Sequence, residues 1–257
     1  GAYPCDRIFI SVAEFASLPA IKQEQTITRK RELLMYRIVN KEALKPTVIL
    51  YEIEAPMVAK KAEPGQFIIL RVDEEGERIP LTVAGYDREA GTVKIIFQVV
   101  GGTTEKLAHK EAGASIQDFV GPLGEPTHLN GLKKVCIVGG GVGCAIALPI
   151  AKKLHEMGAE VTSVIGFRTK DLLILEDEFK ACSDTLAVMT DDGSYGRQGN
   201  VCVPLNEFFA SGEKFDEVDL DTHTTKLSYI DGEGDNALYV FMDQETYEQF
   251  ELPKSDL

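Results

Sequence analysis

The sequence predicts an antiparallel Greek-key β-barrel, then a truncated doubly wound parallel α/β domain, then a C-terminal β-hairpin. Three observations predict it. Residues 35–130 hold short β-rich runs parted by Gly and Pro turns, as in small barrels and sandwiches. From Leu132 onward, continuous apolar runs alternate with helical stretches, the pattern of a parallel sheet covered on both faces. Between them, Val135–Val138 runs straight into Gly139-Gly140-Gly141-Val142-Gly143, which opens an apolar helical stretch from Ala145 to Met157. Such a turn brings bare backbone N–H groups and a helix N-terminus up to a phosphate.

Each element follows from its residues. Residues 1–34 show no clear period and form an unassigned leader. The barrel, residues 35–131, takes strands at Met35–Val39, Thr47–Glu54, Gln66–Val72, Leu81–Tyr86, Val93–Val100 and Ser115–Val120. Pro64-Gly65, Glu75-Gly76, Ala90-Gly91 and Gly101-Gly102 punctuate them. The α/β domain, residues 132–218, adds strands at Val161–Phe167 and Leu186–Thr190, helices at Asp171–Ala181 and Val201–Ala210, and a beginning strand at Phe215–Val218. Residues 219–257 form an acidic tail, with strands at Lys226–Ile230 and Leu238–Met242 and room for a third at Tyr247–Leu252.

Charge and cysteine usage narrow the function classes. The formal net charge is −14, which disfavours nucleic acid and anionic membranes as partners. Residues 219–257 carry ten acids against two bases, a net of −8, so an anionic ligand binds elsewhere. No apolar run is long enough to span a bilayer, and Glu14 interrupts the only mildly apolar N-terminal stretch, which argues against a signal peptide. The five cysteines (5, 136, 144, 182, 202) are scattered with no C-x-x-C pair, so they read as thiols of a reducing, cytoplasmic compartment. No metal site is expected.

Three motifs in the barrel and two in the α/β domain carry chemistry. Arg78-Ile79-Pro80-Leu81-Thr82 sets a cation, a rigid proline and a hydroxyl in order; this suits a diphosphate and a flavin ring, and equally a surface Arg, a turn Pro and a strand Thr. In Gly101-Gly102-Thr103-Thr104-Glu105-Lys106-Leu107, either Thr can cap a short helix whose N–H groups face a diphosphate, or cap it with no ligand at all. Gly121-Pro122-Leu123-Gly124 either lines a nucleotide cleft or makes an interdomain turn. In the α/β domain, a strict G-x-G-x-x-G counted from Gly139 fails, because Cys144 holds the third glycine's place. The second strand there ends in Arg168 rather than an acid. That suits a ribose 2′-phosphate and hence NADP, unless Arg168 merely pairs with Asp171 or Asp177. Thr190-Asp191-Asp192-Gly193-Ser194-Tyr195-Gly196 follows the third strand as a nucleotide-side loop. Its adjacent aspartates lack a third ligand for Mg²⁺.

Taken together and in this order, the motifs resemble the ferredoxin–NADP⁺ reductase superfamily. Within it they are most similar to the flavin-and-nicotinamide subunits of NADH-dependent ferredoxin:NADP⁺ oxidoreductase, sulfide dehydrogenase and dihydroorotate dehydrogenase. The resemblance covers about Met35 to Val218. It implies FAD held by Arg78, Pro80, Leu81 and Thr82, with Gly102, Thr103 and Thr104 at its diphosphate. It implies NADP(H), or NAD(H), over Gly139, Gly140, Gly141, Val142 and Gly143, with Arg168 and Asp192, Gly193, Ser194 and Tyr195 at the adenosine end. Thr82 becomes the residue nearest hydride transfer. The implied partner is ferredoxin or a large iron–sulfur/flavin subunit in a heterodimer. The family's Gly-Pro segment and the cysteine cluster of its [2Fe–2S] centre are not found after Val218. Instead Lys226–Ile230, Tyr239–Gln249 and Glu251–Pro253 resemble part of elongation factor P, as in a fusion or a faulty gene model. A translation-related binding module, or an inactive chimera, is the alternative reading.

Overall fold

The computed structural model describes residues 36–216 and three later strands, 225–231, 238–243 and 249–253. The leader and the remaining tail residues lie outside the described residues. Two compact units divide between Glu217 and Val218.

The first unit begins with β1 (Tyr36–Lys45), β2 (Val48–Glu54), a short helix α1 (Pro56–Ala59), β3 (Phe67–Arg71), β4 (Arg78–Asp87) and β5 (Thr92–Gln98). Helix α2 (Gly102–Ala108) then precedes β6 (Ser115–Ile116) and β7 (Asp118–Leu123). These strands pair antiparallel in the order β6-β1-β2-β5-β4-β3-β7. The two outermost strands are successive pieces of one bent segment. Gln117 between them donates its N–H to the Arg71 carbonyl at 3.1 Å. The sheet is thereby drawn round into a near-barrel, which removes long open edges.

Period-two patterning fills the interior. Tyr51 and Ile53 from β2, Ile68 and Leu70 from β3, and Val93, Ile95 and Phe97 from β5 are buried in one core with Phe119. The opposite face of β2 and β5 is apolar as well, because Val48 and Ile96 belong to a second core. That core joins the barrel wall to the α/β layer, which comprises β8 (Lys134–Gly140), α3 (Cys144–Glu156), β9 (Glu160–Phe167), α4 (Glu176–Ala181), β10 (Thr185–Thr190), β11 (Arg197–Gln198) and α5 (Cys202–Ser211). Its four strands are parallel, in the order β11-β10-β9-β8. Helix α3 turns Cys144, Ala147, Leu148, Ala151 and Leu154 inward at helical spacing, which is why its sequence is apolar on one side.

Two helical and strand expectations change. The stretch predicted as one helix, Asp171–Ala181, is a 3₁₀ turn at Lys170–Leu172 and then α4, parted by Leu175 at φ 62°. Burial of Ile174 and Leu175 in the second core compensates for that left-handed kink. Phe215 and Asp216 form no strand; the rest of the expected Phe215–Val218 strand is outside the described residues. Asp216 nevertheless ties down the start of β8. Its N–H donates to the Lys134 carbonyl at 2.7 Å, and its carboxylate accepts the N–H groups of Lys133 and Lys134.

In the second unit, β12 (Thr225–Asp231), β13 (Leu238–Asp243) and β14 (Gln249–Pro253) pair antiparallel as a three-stranded meander. The third strand makes this more than the expected hairpin. Among the described residues no helix is long and apolar enough to cross a membrane.

Tyr51 anchors α2 to the barrel. Its phenol oxygen lies 2.6 Å from the Leu107 carbonyl and 2.7 Å from that of Lys110, while Lys41 Nζ donates to the Ala108 carbonyl at 2.8 Å. Burial, with a smaller push from the Glu111 carboxylate, raises the phenol from 10.0 to about 12. Because the unfolded chain ionises first, this group's stabilisation is complete below pH 10 and is lost between about pH 10 and 12. Urea unfolding across that range should show a loss about 2–3 kcal/mol larger in the parent than in Tyr51→Phe.

Candidate functional site

Strand register builds the site. Antiparallel partners share a face, so pairing across β4, β3 and β7 sorts the outward side chains into rows. Arg78, Arg71 and Asp118 form the first row. Pro80, Ile69 and Val120 form the second, and Thr82, Phe67 and Leu123 the third. Cations therefore stand at one end, a hydroxyl at the other, and an apolar strip between them in which Val120 is 50% exposed. β5 pairs with β4 only from Val83 onward, so among the described residues the edge of 78–82 away from β3 carries no strand. Leu81 faces the other way, into the barrel core, and can offer a ligand only its backbone.

Gly121-Pro122-Leu123 continues β7 alongside β3 and is no free interdomain turn. Gly121 is required there, since a Cβ would stand 2.5 Å from Ile68 Cγ2. The Gln66 amide donates to the Gly124 carbonyl at 2.7 Å and fixes the end of the segment.

Helix α2 stands beside the first row. Lys106 pairs with Asp73 at 2.6 Å, and Thr103 Oγ1 approaches Glu77 at 3.5 Å. Thr104 is committed to the backbone: its hydroxyl accepts the N–H groups of Val100 and Gly101 and donates to the Gly101 carbonyl. Gly101 at the N-cap has no side chain to receive the first-turn N–H groups, and among the described residues no atom lies within 4 Å of where a Cβ on Gly101 or Gly102 would stand.

The glycine turn closes β8 tightly onto α3. A Cβ on Gly139 would lie 3.0 Å from Cys144 Sγ and 3.1 Å from its Cα. Cys144 thus packs directly beneath the turn, and burial pushes its thiol up to about 12. Gly141 carries φ 53° within the turn. Val142 packs on the second core, as does Ala84, which follows Thr82 two residues along β4. The turn and the platform are therefore linked through one core.

At the carboxyl ends of β9 and β10 the loop after Thr190 is internally bonded. Asp192 accepts from the Ser194 N–H and hydroxyl, and the Ser194 oxygen accepts the Lys170 N–H at 2.8 Å. Those bonds hold the Asp192 carboxyl below its usual range. The Thr190 hydroxyl bonds the Tyr195 backbone, and the Tyr195 phenol donates to Glu176 at 3.0 Å. Lys170 Nζ sits 5.3 Å from the centre of the Tyr195 ring. Arg168 is exposed and makes no ion pair among the described residues; Lys180 takes Glu176 and Asp177 instead. Among the described residues no three His, Cys, Asp or Glu side chains gather as a metal site.

Phe67, Ile69, Arg71, Asp118 and Val120 were missed from sequence. The signal was present in the odd positions of Phe67–Arg71, but β3 had first to be paired with β4 and β7.

Comparison with known proteins bears on the fold and the family. The chain is 48% identical over 179 residues to the electron transfer subunit homolog of dihydroorotate dehydrogenase B (NAD(+)) from Thermotoga maritima, covering 70% of this chain and 63% of that protein. It is 32% identical over 195 residues to the Enterococcus faecalis electron transfer subunit, covering 74% and 73%. A solved structure of NADH-dependent reduced ferredoxin-NADP oxidoreductase superposes with TM-score 0.65 at 46% identity, over 68% of this chain and 63% of that one. The chain thus spans about 63% of the length of two of these relatives. A family model for the Elongation factor P (EF-P) OB domain matches residues 220–257. The described barrel and parallel sheet have the ferredoxin reductase-like fold, and the chain belongs to the family of dihydroorotate dehydrogenase B electron transfer subunits.

Proposed function

We propose that residues 36–216 form a flavoprotein electron-transfer module that moves electrons between NAD(P)H and an iron–sulfur partner through FAD. The observation that carries this reading is the three-row platform, with its arginines, apolar strip and Thr82 in line. An amphipathic dinucleotide bearing a flat ring has the same order of chemistry. Arg78 supplies the cation, and the N–H groups of Gly102, Thr103 and Thr104 supply donors for the diphosphate. Pro80 gives an apolar contact, Leu81 a backbone edge, and Thr82 a hydroxyl at the ring's reacting end. FAD held by these residues would supply the chemistry that links two-electron hydride transfer from a nicotinamide to one-electron transfer toward an iron–sulfur centre.

The glycine turn, Gly139 to Gly143, is assigned to the nicotinamide dinucleotide, with Gly193, Ser194 and Tyr195 at its adenosine end. Asp192 holds that loop in shape. Arg168, a cation without an ion-pair partner among the described residues, selects a 2′-phosphate and so favours NADPH. The partner we assign is ferredoxin or a large iron–sulfur/flavin subunit, which contributes the cluster, in a cytoplasmic heterodimer. A translation role would rest on residues 220–257 alone, inside a region whose charge of −8 repels RNA.

Anaerobic stopped-flow mixing of the FAD-loaded protein with NADPH tests the reading: the flavin band should bleach. Thr82→Ala should keep FAD and slow that bleaching about tenfold, equal to about 1.4 kcal/mol of barrier. Bleaching at the unaltered rate would remove Thr82 from the site, and no bleaching by either nicotinamide would refute the function.

A further inference from the structure

Arg78 and Arg71 stand directly opposite each other on β4 and β3, where like charges repel. Asp118, opposite Arg71 on β7, relieves this with a single atom. Its Oδ2 accepts Arg71 Nε at 2.7 Å and Arg78 Nη2 at 2.9 Å. The Arg71 and Asp118 side chains are each 24% exposed, whereas Arg78 is 60% exposed. Arg71 also donates through Nη1 to the Glu74 carbonyl at 3.4 Å, so it belongs to the protein rather than to solvent. The bond to Asp118 uses one of the three Arg78 nitrogens and leaves Nε and Nη1 for another acceptor.

We propose that Asp118 is a positioning residue: it holds the Arg78 guanidinium aligned for a dinucleotide diphosphate, while Arg71 keeps the carboxylate from cancelling Arg78. The inference rests on reading this face as the FAD site. Two effects oppose one another here. A carboxylate near an anionic ligand weakens long-range attraction, but fixing a long exposed side chain beforehand removes an entropy cost of binding. Arg71 neutralises the first effect, so the second dominates. Removing Asp118 makes the row more positive and yet weakens binding, the reverse of what net charge alone dictates.

The test is FAD titration of full-length apoprotein, followed by flavin fluorescence, for the parent, Asp118→Ala, Asp118→Asn, Arg71→Met, Arg78→Ala and the Arg78→Ala/Asp118→Ala double variant. Circular dichroism of each apoprotein controls for folding. Asp118→Ala should weaken FAD about tenfold, and Asp118→Asn, which keeps an acceptor oxygen, should return within about threefold of the parent. Because the effect passes through Arg78, Asp118→Ala should add nothing once Arg78 is gone. Arg71→Met should weaken FAD as well, and it carries the test if Asp118→Ala does not fold. Unchanged or tighter binding in Asp118→Ala, unchanged binding in Arg71→Met, or a full Asp118 effect without Arg78 overturns the positioning role alone. Unchanged FAD affinity in Arg78→Ala overturns the site assignment and this inference with it.

Discussion

Phe179→Ala is expected to remove about 3–5 kcal/mol of folding stability, read as a fall in the urea midpoint at unchanged slope. Phe179 is fully buried on α4 and packs in the second core with Ile174, Leu175 and Cys182. That helix lies against α3 and β10, so truncating the ring leaves a void where three elements meet. Polar atoms are not involved, and the loss comes from apolar transfer and an unfilled cavity. None of the platform side chains in the rows of Arg78, Pro80 and Thr82 belongs to the second core, so FAD affinity should survive wherever the variant remains folded. A loss under about 1 kcal/mol would mean that the second core is not packed as described.

Gly139→Val should cost about 1–3 kcal/mol and weaken NADPH binding at least tenfold. The collision is with Cys144, both its sulfur and its Cα, and Cys144 is wholly buried, so neither can swing away. Either α3 shifts or the turn opens, and both change the N–H groups offered to a phosphate. Thermal unfolding and an NADPH titration of the FAD-loaded protein check the two effects separately. Unaltered NADPH affinity would show that the turn is structural only.

What was legible in the sequence was whatever local period and turn chemistry determine. Ile68 and Leu70 alternate with outward residues, and α3 shows its buried face at helical spacing. The glycine turn needs little beyond its own residues. Cys144 in the third glycine's place looked like a defect, yet it fills the space that Gly139 leaves open. What sequence did not show depends on pairing between distant strands. Arg71 and Asp118 are 47 residues apart and meet only because β7 returns beside β3. The resemblance places Leu81 with Pro80 and Thr82 at the flavin; strand alternation turns its side chain to the barrel core and leaves its backbone on their side. The resemblance gives Thr104 to a diphosphate; pairing of its hydroxyl with the loop before α2 leaves its backbone N–H for that role. The left-handed Leu175 could not be foreseen, because only its burial in the second core supports that backbone.

The most direct measurement is an absorbance scan of the purified full-length chain, with quantitation of any dinucleotide released on denaturation. The platform of Arg78, Pro80 and Thr82 predicts a yellow protein that gives up about one FAD per chain, or that turns yellow with one added equivalent. A colourless, cooperatively folded protein whose spectrum ignores added FAD would contradict the account.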